Sequence, residues 1–234
     1  MKLLMENWRQ YLAEGMKTAE ELPPNVYVVI KHGDPGNFGQ EGAPEAISIF
    51  FADENGKPAH SATRALPDAW RKLLFGKVVI RPAYASYDGN CAGAWIVGGT
   101  VADEGWGPLL YDVAIEWATK NGQGLAPDRN VVSPSATKVW DYYFNNRSDV
   151  KSTQLDDLEN ALTPDEDDNC RQARASGTKY ITTGFAGLGR GKEVPGTEDW
   201  APSSLSKKYT KAPTTYNQLD KMGKLIDLTK APKS

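Results

Sequence analysis

The residue types that could do ligand chemistry gather around one short loop. Ala102-Asp-Glu-Gly105-Trp-Gly107 follows an apolar run, Ala92-Gly-Ala-Trp-Ile-Val-Gly-Gly-Thr-Val101, and precedes a helix-forming stretch that opens with Pro108. A strand, a glycine turn and a helix start, in that order, suit an anionic group. The first N–H groups of a helix have no partner within it, and the helix dipole favours negative charge there. Glycine lets the backbone approach a ligand closely. The backbone amides of Glu104, Gly105, Trp106 and Gly107 are therefore the expected phosphate ligands. Trp106, the one tryptophan inside the loop, is placed to cover what binds.

Proton transfer needs a positioned acid or base. Asp103, Glu104 and Asp112 are the carboxylates nearest the loop in sequence, whereas Glu116 reads as a solvated helix residue. Other chemistries find little support. Cys91 and Cys170 lie too far apart for metal-ligand spacing and allow one disulfide, which taken alone is thin evidence for secretion. With only His32 and His60 available, no oriented thiol–imidazole pair is visible; Cys91 reads as a buried structural cysteine and His32 as a solvated loop residue. Gly187-Leu-Gly-Arg-Gly-Lys192 hints at a P-loop, but position 186 is Ala, Glu193 follows Lys192, and no strand–helix context surrounds it.

The elements around the loop follow from pattern. Leu3, Leu4, Trp8, Tyr11 and Leu12 fall near helical spacing, so 1–22 reads as an amphipathic helix interrupted at Gly15 and stopped by Pro23-Pro24. Val26–Ile30, Ala46–Ala52 and Val78–Ile80 read as strands, with Asp53-Glu-Asn-Gly56 a turn and 67–75 a helix. Pro108–Lys120 is a helix with Leu109, Leu110, Val113, Ala114 and Trp117 on one stripe, and Gly122 follows its end. Asn130–Ser133 ends an extended piece. Ser133 then caps a helix from Pro134 that carries Ala136, Val139, Trp140 and Tyr143 on one face. Beyond Arg147 the chain turns polar, with a short terminal helix expected over 216–228. The expected fold class is α/β, a central mixed sheet flanked by helices. The chain divides into an N-terminal helix (1–22), a main domain (23–150) and a long irregular extension (151–234).

Two motifs give this outline a family likeness. Ala102-Asp-Glu-Gly105-Trp-Gly107 resembles the Arg/Gln-x-x-Gly-x-Gly/Ala signature of GNAT N-acetyltransferases, with both glycines present and Ala102 in place of Arg/Gln. Ser133-Pro-Ser-Ala136-Thr-Lys-Val139-Trp140 resembles the family's later Asn-x-x-Ala-x-x-Leu-Tyr helix, with Ser for Asn and Trp for Tyr. The matched region runs from about Ala92 to Phe144. The resemblance implies acetyl-CoA as cosubstrate and an amine, on a small molecule or a protein, as acyl acceptor. The pyrophosphate would lie on Glu104–Gly107 and the pantetheine along the strand at Val97, Gly98 and Thr100, with Ser133 beside the cosubstrate. It also implies a general base near splayed central strands, for which Glu104 is the candidate. The family's tyrosine protonates the leaving thiolate; Trp140 cannot, because the indole N–H is not acidic. Tyr142 and Tyr143 follow on other faces of the helix, and Tyr143 is the candidate acid. The alternative is a GNAT-like shell without catalysis that binds a protein partner.

The chain as a whole is also similar to GNAT-like proteins of marine bacteriophages, on Gly105–Trp117, Asp128–Ser133, Val139–Tyr143 and Leu205–Tyr209. Met1–Glu14 resembles capsid-targeting leaders, with Leu12-Ala-Glu14 fitting the cleavage pattern that a prohead protease reads. These likenesses imply a protein of the infected host's cytoplasm, packaged in the virion and in contact with capsid or other virion proteins.

Charge narrows the partners. A net charge of −3 gives no electrostatic footprint for nucleic acid. Seven acids fall between Gln154 and Cys170 without a Lys or Arg, and seven lysines between Pro202 and Ser234 face only Asp220 and Asp227, which suggests a solvated acidic loop and a basic tail that pairs with it. No apolar run approaches the roughly 20 residues of a membrane span, and charge breaks the N-terminus too early for a signal peptide. A reducing cytoplasm is the default expectation.

Overall fold

The protein is a mixed α/β structure. The computed structural model describes residues 15–33, 45–55, 76–83, 91–103, 105–127, 132, 134–155, 179–181, 192–194 and 204–230. The strands are β1 (Tyr27–His32), β2 (Ile47–Ala52), β3 (Gly76–Pro82), β4 (Trp95–Ala102), β5 (Leu125–Ala126), β6 (Val150–Gln154), β7 (Lys179–Ile181), β8 (Lys192–Val194), β9 (Lys207–Lys211) and β10 (Leu225–Asp227). The helices are α1 (Gly107–Asn121), α2 (Pro134–Asn146) and α3 (Thr214–Lys221). Eight strands form one sheet in the order β10-β1-β2-β3-β4-β5-β9-β6, while β7 and β8 pair with each other. β1–β10 and β4–β5 are parallel, and β1–β2, β5–β9 and β6–β9 antiparallel, so the sheet is mixed as expected.

The chain forms two compact units: Met1–Val79, Gly99–Ala114 and Thr214–Ser234 in one, Ile80–Gly98 and Ile115–Pro213 in the other. β3, β4 and α1 each run from one unit into the other. In the first unit β2 is buried along its whole length, as its unbroken Ile-Ser-Ile-Phe-Phe-Ala composition requires. Its register on β1 sets Val28 opposite Phe51 and Ile30 opposite Ile49. The one polar residue in that run, Ser48, donates to the Gly33 carbonyl at 2.9 Å. The chain after α3 closes this unit: Tyr216 donates to Asp227 at 2.6 Å, and the Lys224 ammonium donates to the carbonyls of Pro23 (2.7 Å) and Val26 (3.2 Å).

The second unit packs aromatics around β9. Trp140 of α2 stacks on Tyr209 at 4.9 Å, and Trp95 meets Trp117 edge-on at 4.8 Å. The Tyr209 hydroxyl donates to the Ser204 carbonyl and the Ser204 hydroxyl to Asp141, each at 2.6 Å. Burial, with Asp141 nearby, pushes the Tyr209 phenol far up. The deepest polar contact joins Lys211, at the end of β9, to Glu116 of α1, with both side chains almost wholly buried. The Lys211 amide donates to the Thr119 hydroxyl at 3.1 Å, and Asp149, itself gripped by Arg147, lies 3.7 Å from the Lys211 ammonium.

Several sequence expectations need correction. Glu116 is buried and ion-paired, because it lies three residues after Val113 and seven after Leu109, on the packed side of a helix covered nearly all round. The expected basic tail supplies β9, in which Lys207, Lys208 and Lys211 are buried; Lys207 binds Gln154 and lies 5.3 Å from the Phe144 ring. The sheet therefore reaches past residue 150, through β6, β9 and β10. The terminal helix ends at Lys221, and Gly223, at φ 65°, turns the chain into β10. Ala19–Glu21 is a single 3-10 turn rather than part of a helix running to 22. Residues 1–14, the helix expected over 67–75 and the acidic run from 156 to 170 lie outside the described residues.

The Lys211–Glu116 pair yields a stability prediction. Glu116→Leu or Lys211→Met alone leaves a buried charge uncompensated and is expected to cost about 3–5 kcal/mol, whereas the two together recover most of it. Urea denaturation of the four proteins of the cycle measures this; single and double losses that simply add would contradict it.

Candidate functional site

The glycine loop forms where it was expected, at the junction of β4 and α1. Its geometry follows from Gly105, whose φ of 84° only glycine adopts without strain. The Trp106 amide donates to the Asp103 carbonyl at 3.1 Å, closing the turn, so this amide is already engaged. Trp106 does not lie over the loop as a cover. It is buried, and its ring meets Phe51 edge-on at 5.5 Å, because the turn that frees the helix start also aims the indole into the core. Gly107 opens α1. Glu104 and Ser133 lie outside the described residues.

A second chain segment lies against the loop, which the sequence did not reveal. The Lys17 amide donates to the Gly105 carbonyl at 2.9 Å, and a Cβ on Gly105 would stand 2.2 Å from the Gly15 carbonyl oxygen and 3.1 Å from Lys17 Cγ. This strap is well anchored. Ala19 and Leu22 are buried, Lys17 pairs with Glu21 at 2.8 Å, and Gln218 binds Glu20. One side of the loop is thus occupied by the protein's own backbone, and the half-exposed Lys17 ammonium beside it is held by Glu21.

β4 departs from its neighbour early. It pairs in parallel with β5 at Trp95–Leu125 and Ile96–Ala126, and the pairing stops there although β4 continues for six more residues to Ala102. Among the described residues no strand follows β5 to meet the rest of β4. Val97 is buried, whereas Gly98, Gly99 and Thr100 are exposed, and a Cβ built on Gly99 would meet nothing within 4 Å. The Thr100 hydroxyl is 3.1 Å from the Tyr111 hydroxyl, which fixes it against α1. Asp103, just past the end of β4, is half-buried, and desolvation raises its carboxyl above the usual 3.8.

Tyr143, the residue expected as the acid, lies in the core beside the tryptophan that stands at the motif's tyrosine position. Trp140 and Tyr143 are both about 1% exposed. The Tyr143 ring is packed by Trp140, by Tyr142 at 5.9 Å and by the Arg147 guanidinium at 5.3 Å. Among the described residues no group of three or more His, Cys, Asp or Glu suits a metal ion, and no helix is long and apolar enough to cross a membrane. No protein-family model, curated protein or solved structure matches the chain.

Two outcomes test this local picture. Gly105→Ala is expected to destabilise the fold by about 1–3 kcal/mol through backbone strain and the clash with Gly15, while Gly99→Ala stays near neutral or gains up to about 1 kcal/mol; chemical denaturation separates them. Asp103 supplies a pH signature. Its raised folded pKa means the native state holds the proton longer than the unfolded chain, so stability falls as pH rises from the ordinary aspartate value through the raised one. Asp103→Asn should therefore have a higher Tm than the parent at pH 7, and the difference should shrink to zero as pH falls below 3.8. A pH-independent difference would refute the assignment.

Proposed function

We propose that the protein binds an acyl-CoA thioester along β4 and transfers its acyl group to an amine. The parting of β4 and β5 after Ile96–Ala126 carries this reading, because it leaves exposed strand backbone at Gly98–Thr100 leading into a glycine turn at a helix start. Extended ligands bind such unpaired strand by backbone hydrogen bonds, and the turn offers N–H groups to a phosphate. The motif likeness over 92–144 supports the same reading. Gly98, Gly99 and Thr100 would receive the pantetheine arm, and Gly107 with the following first turn of α1 the pyrophosphate. Lys17, paired with Glu21, lies beside the loop in the absence of Arg/Gln at position 102.

The chemistry asks little of the protein beyond position and one base. The amine nitrogen attacks the thioester carbonyl, the C–S bond breaks and CoA leaves as thiolate. Asp103 takes the proton that the nitrogen gives up, with Glu104 the neighbouring candidate. A thiolate, whose conjugate acid has a pKa of about 8.5, leaves without strong acid assistance. Transfer therefore does not require a tyrosine at position 140, and buried Tyr143 is not carried into the proposal as the acid.

Isothermal titration with acetyl-CoA tests binding, with Gly99→Glu as the control. The new side chain enters open space, so the fold should be kept while a negative charge blocks the strand. Micromolar binding by the parent and at least a hundredfold loss in the variant are expected. Asp103→Asn should then lower kcat about 10²–10⁴-fold, with Glu104→Gln deciding between the two carboxylates. A second reading is favoured by the strap on Gly105 and the burial of Trp140 and Tyr143: a non-catalytic protein of this fold that is packaged with the virion and binds a protein partner. Absence of binding at millimolar acetyl-CoA would select it.

A further inference from the structure

We propose that Tyr111 is a positioning residue for the ligand of β4: its buried hydroxyl donates to Thr100 and makes the Thr100 hydroxyl a fixed donor for an amide carbonyl of the pantetheine arm. This rests on the acyl-CoA reading.

Tyr111 lies in the second turn of α1 and is about 2% exposed, whereas Thr100 is an exposed residue of β4. Their hydroxyls are 3.1 Å apart. A phenylalanine would fill the same space without taking a hydroxyl out of water, a loss that a hydrogen bond must offset. Of the two groups the phenol is the stronger acid, with an ordinary pKa of about 10. It is therefore the better donor, and the aliphatic oxygen the better acceptor. Burial raises the Tyr111 phenol further, and the bond to Thr100 opposes this only in part, so the phenol keeps its proton at physiological pH.

An oxygen that accepts one hydrogen bond donates its own hydrogen more strongly, because bonds in a chain polarise one another. With Tyr111 on its lone pair, the Thr100 hydroxyl has its hydrogen left for another acceptor. Among the described residues Tyr111 is the one hydrogen-bond partner of that hydroxyl.

The surroundings decide where the acceptor comes from. β3 begins hard against the end of β4: a Cβ on Gly76 would stand 2.8 Å from both the Ala102 Cβ and the Val101 carbonyl oxygen. The strap lies on Gly105, where a Cβ would stand 2.2 Å from the Gly15 carbonyl oxygen. Beside Thr100, in contrast, a Cβ on Gly99 would meet nothing within 4 Å. An extended arm with spaced amides fits along Gly99 and Thr100, its amide groups meeting strand backbone and one carbonyl meeting the Thr100 hydroxyl. A nucleoside diphosphate has no such amide to present. The hydroxyl pair thus selects the arm rather than the phosphates, and Tyr111 acts on the ligand only through Thr100.

The test is isothermal titration of the full chain with acetyl-CoA and with ADP, which carries a pyrophosphate without the arm. The proteins compared are the parent, Thr100→Val, Thr100→Ser, Tyr111→Phe and the double variant Thr100→Val/Tyr111→Phe. Acetyl-CoA binding should weaken about tenfold in Thr100→Val and about threefold in Tyr111→Phe, with the double variant no weaker than Thr100→Val. Thr100→Ser, which keeps the hydroxyl, should restore most of the affinity that Thr100→Val loses. ADP affinity should stay within about twofold throughout, which a purely structural tie between β4 and α1 would not produce. Unchanged acetyl-CoA affinity in Thr100→Val, equal losses for ADP and acetyl-CoA, or losses that multiply in the double variant would each overturn the proposal and leave the acyl-CoA reading in place. A parent that binds no acetyl-CoA at millimolar concentration would remove that reading and this proposal with it.

Discussion

The Lys211–Glu116 contact sets the terms for the unit built from Ile80–Gly98 and Ile115–Pro213. Removing two charges from water costs several kcal/mol per ion, and mutual attraction repays it only where geometry is tight and the remaining donors are satisfied. The protein meets that condition by converging several elements on one point. α1 brings Glu116 and Thr119, β9 brings the ammonium and amide of Lys211, and the residues just before β6 bring Asp149 with Arg147. β9 is thereby held in register against β6 over five residue pairs, with Tyr209 stacked under Trp140. β5 is too short to order its surroundings and takes its place from these neighbours.

Sequence pattern revealed the parts of the fold that bury apolar residues periodically. β2, α1 and α2 were legible because their interior faces are aliphatic or aromatic. β9 was not, because Lys-Lys-Tyr-Thr-Lys shows no hydrophobic alternation; long stems and specific partners bury it instead. β5 escaped for a different reason. Two residues carry no period, and the reading of 130–133 as the end of an extended piece falls, Val132 apart, outside the described residues. A signal for Glu116 did exist, since its spacing from Leu109 and Val113 put a carboxylate on a packed side where only a paired one is tolerated.

The candidate site was legible to the same limited degree. The glycine loop and the run of β4 into it followed from residue order. The strap did not, because the contact between Gly15 and Gly105 joins positions ninety apart and leaves no local trace. It changes what a glycine at 105 means. The residue is explained by a positive φ and by a carbonyl pressed against it, whether or not a phosphate ever approaches. Glycine content alone therefore does not separate a ligand cradle from a tight crossing of two backbones. The open space beside Gly99 and the early end of β5 are the features that point outward to a ligand.

The order of strands has a consequence for how the chain is made. The unit built from Ile80–Gly98 and Ile115–Pro213 has all its parts once residue 213 has left the ribosome. The other has its first strands early but lacks the parallel neighbour of β1, since β10 spans residues 225–227 and α3 lies just before it. During vectorial synthesis the outer edge of β1 therefore stays without its partner until residues 225–227 have emerged. Unpaired apolar strand edges invite association with other chains, so the interval between the emergence of Tyr27 and that of Asp227 is the stretch of this protein's life in which it depends most on dilution or on a chaperone.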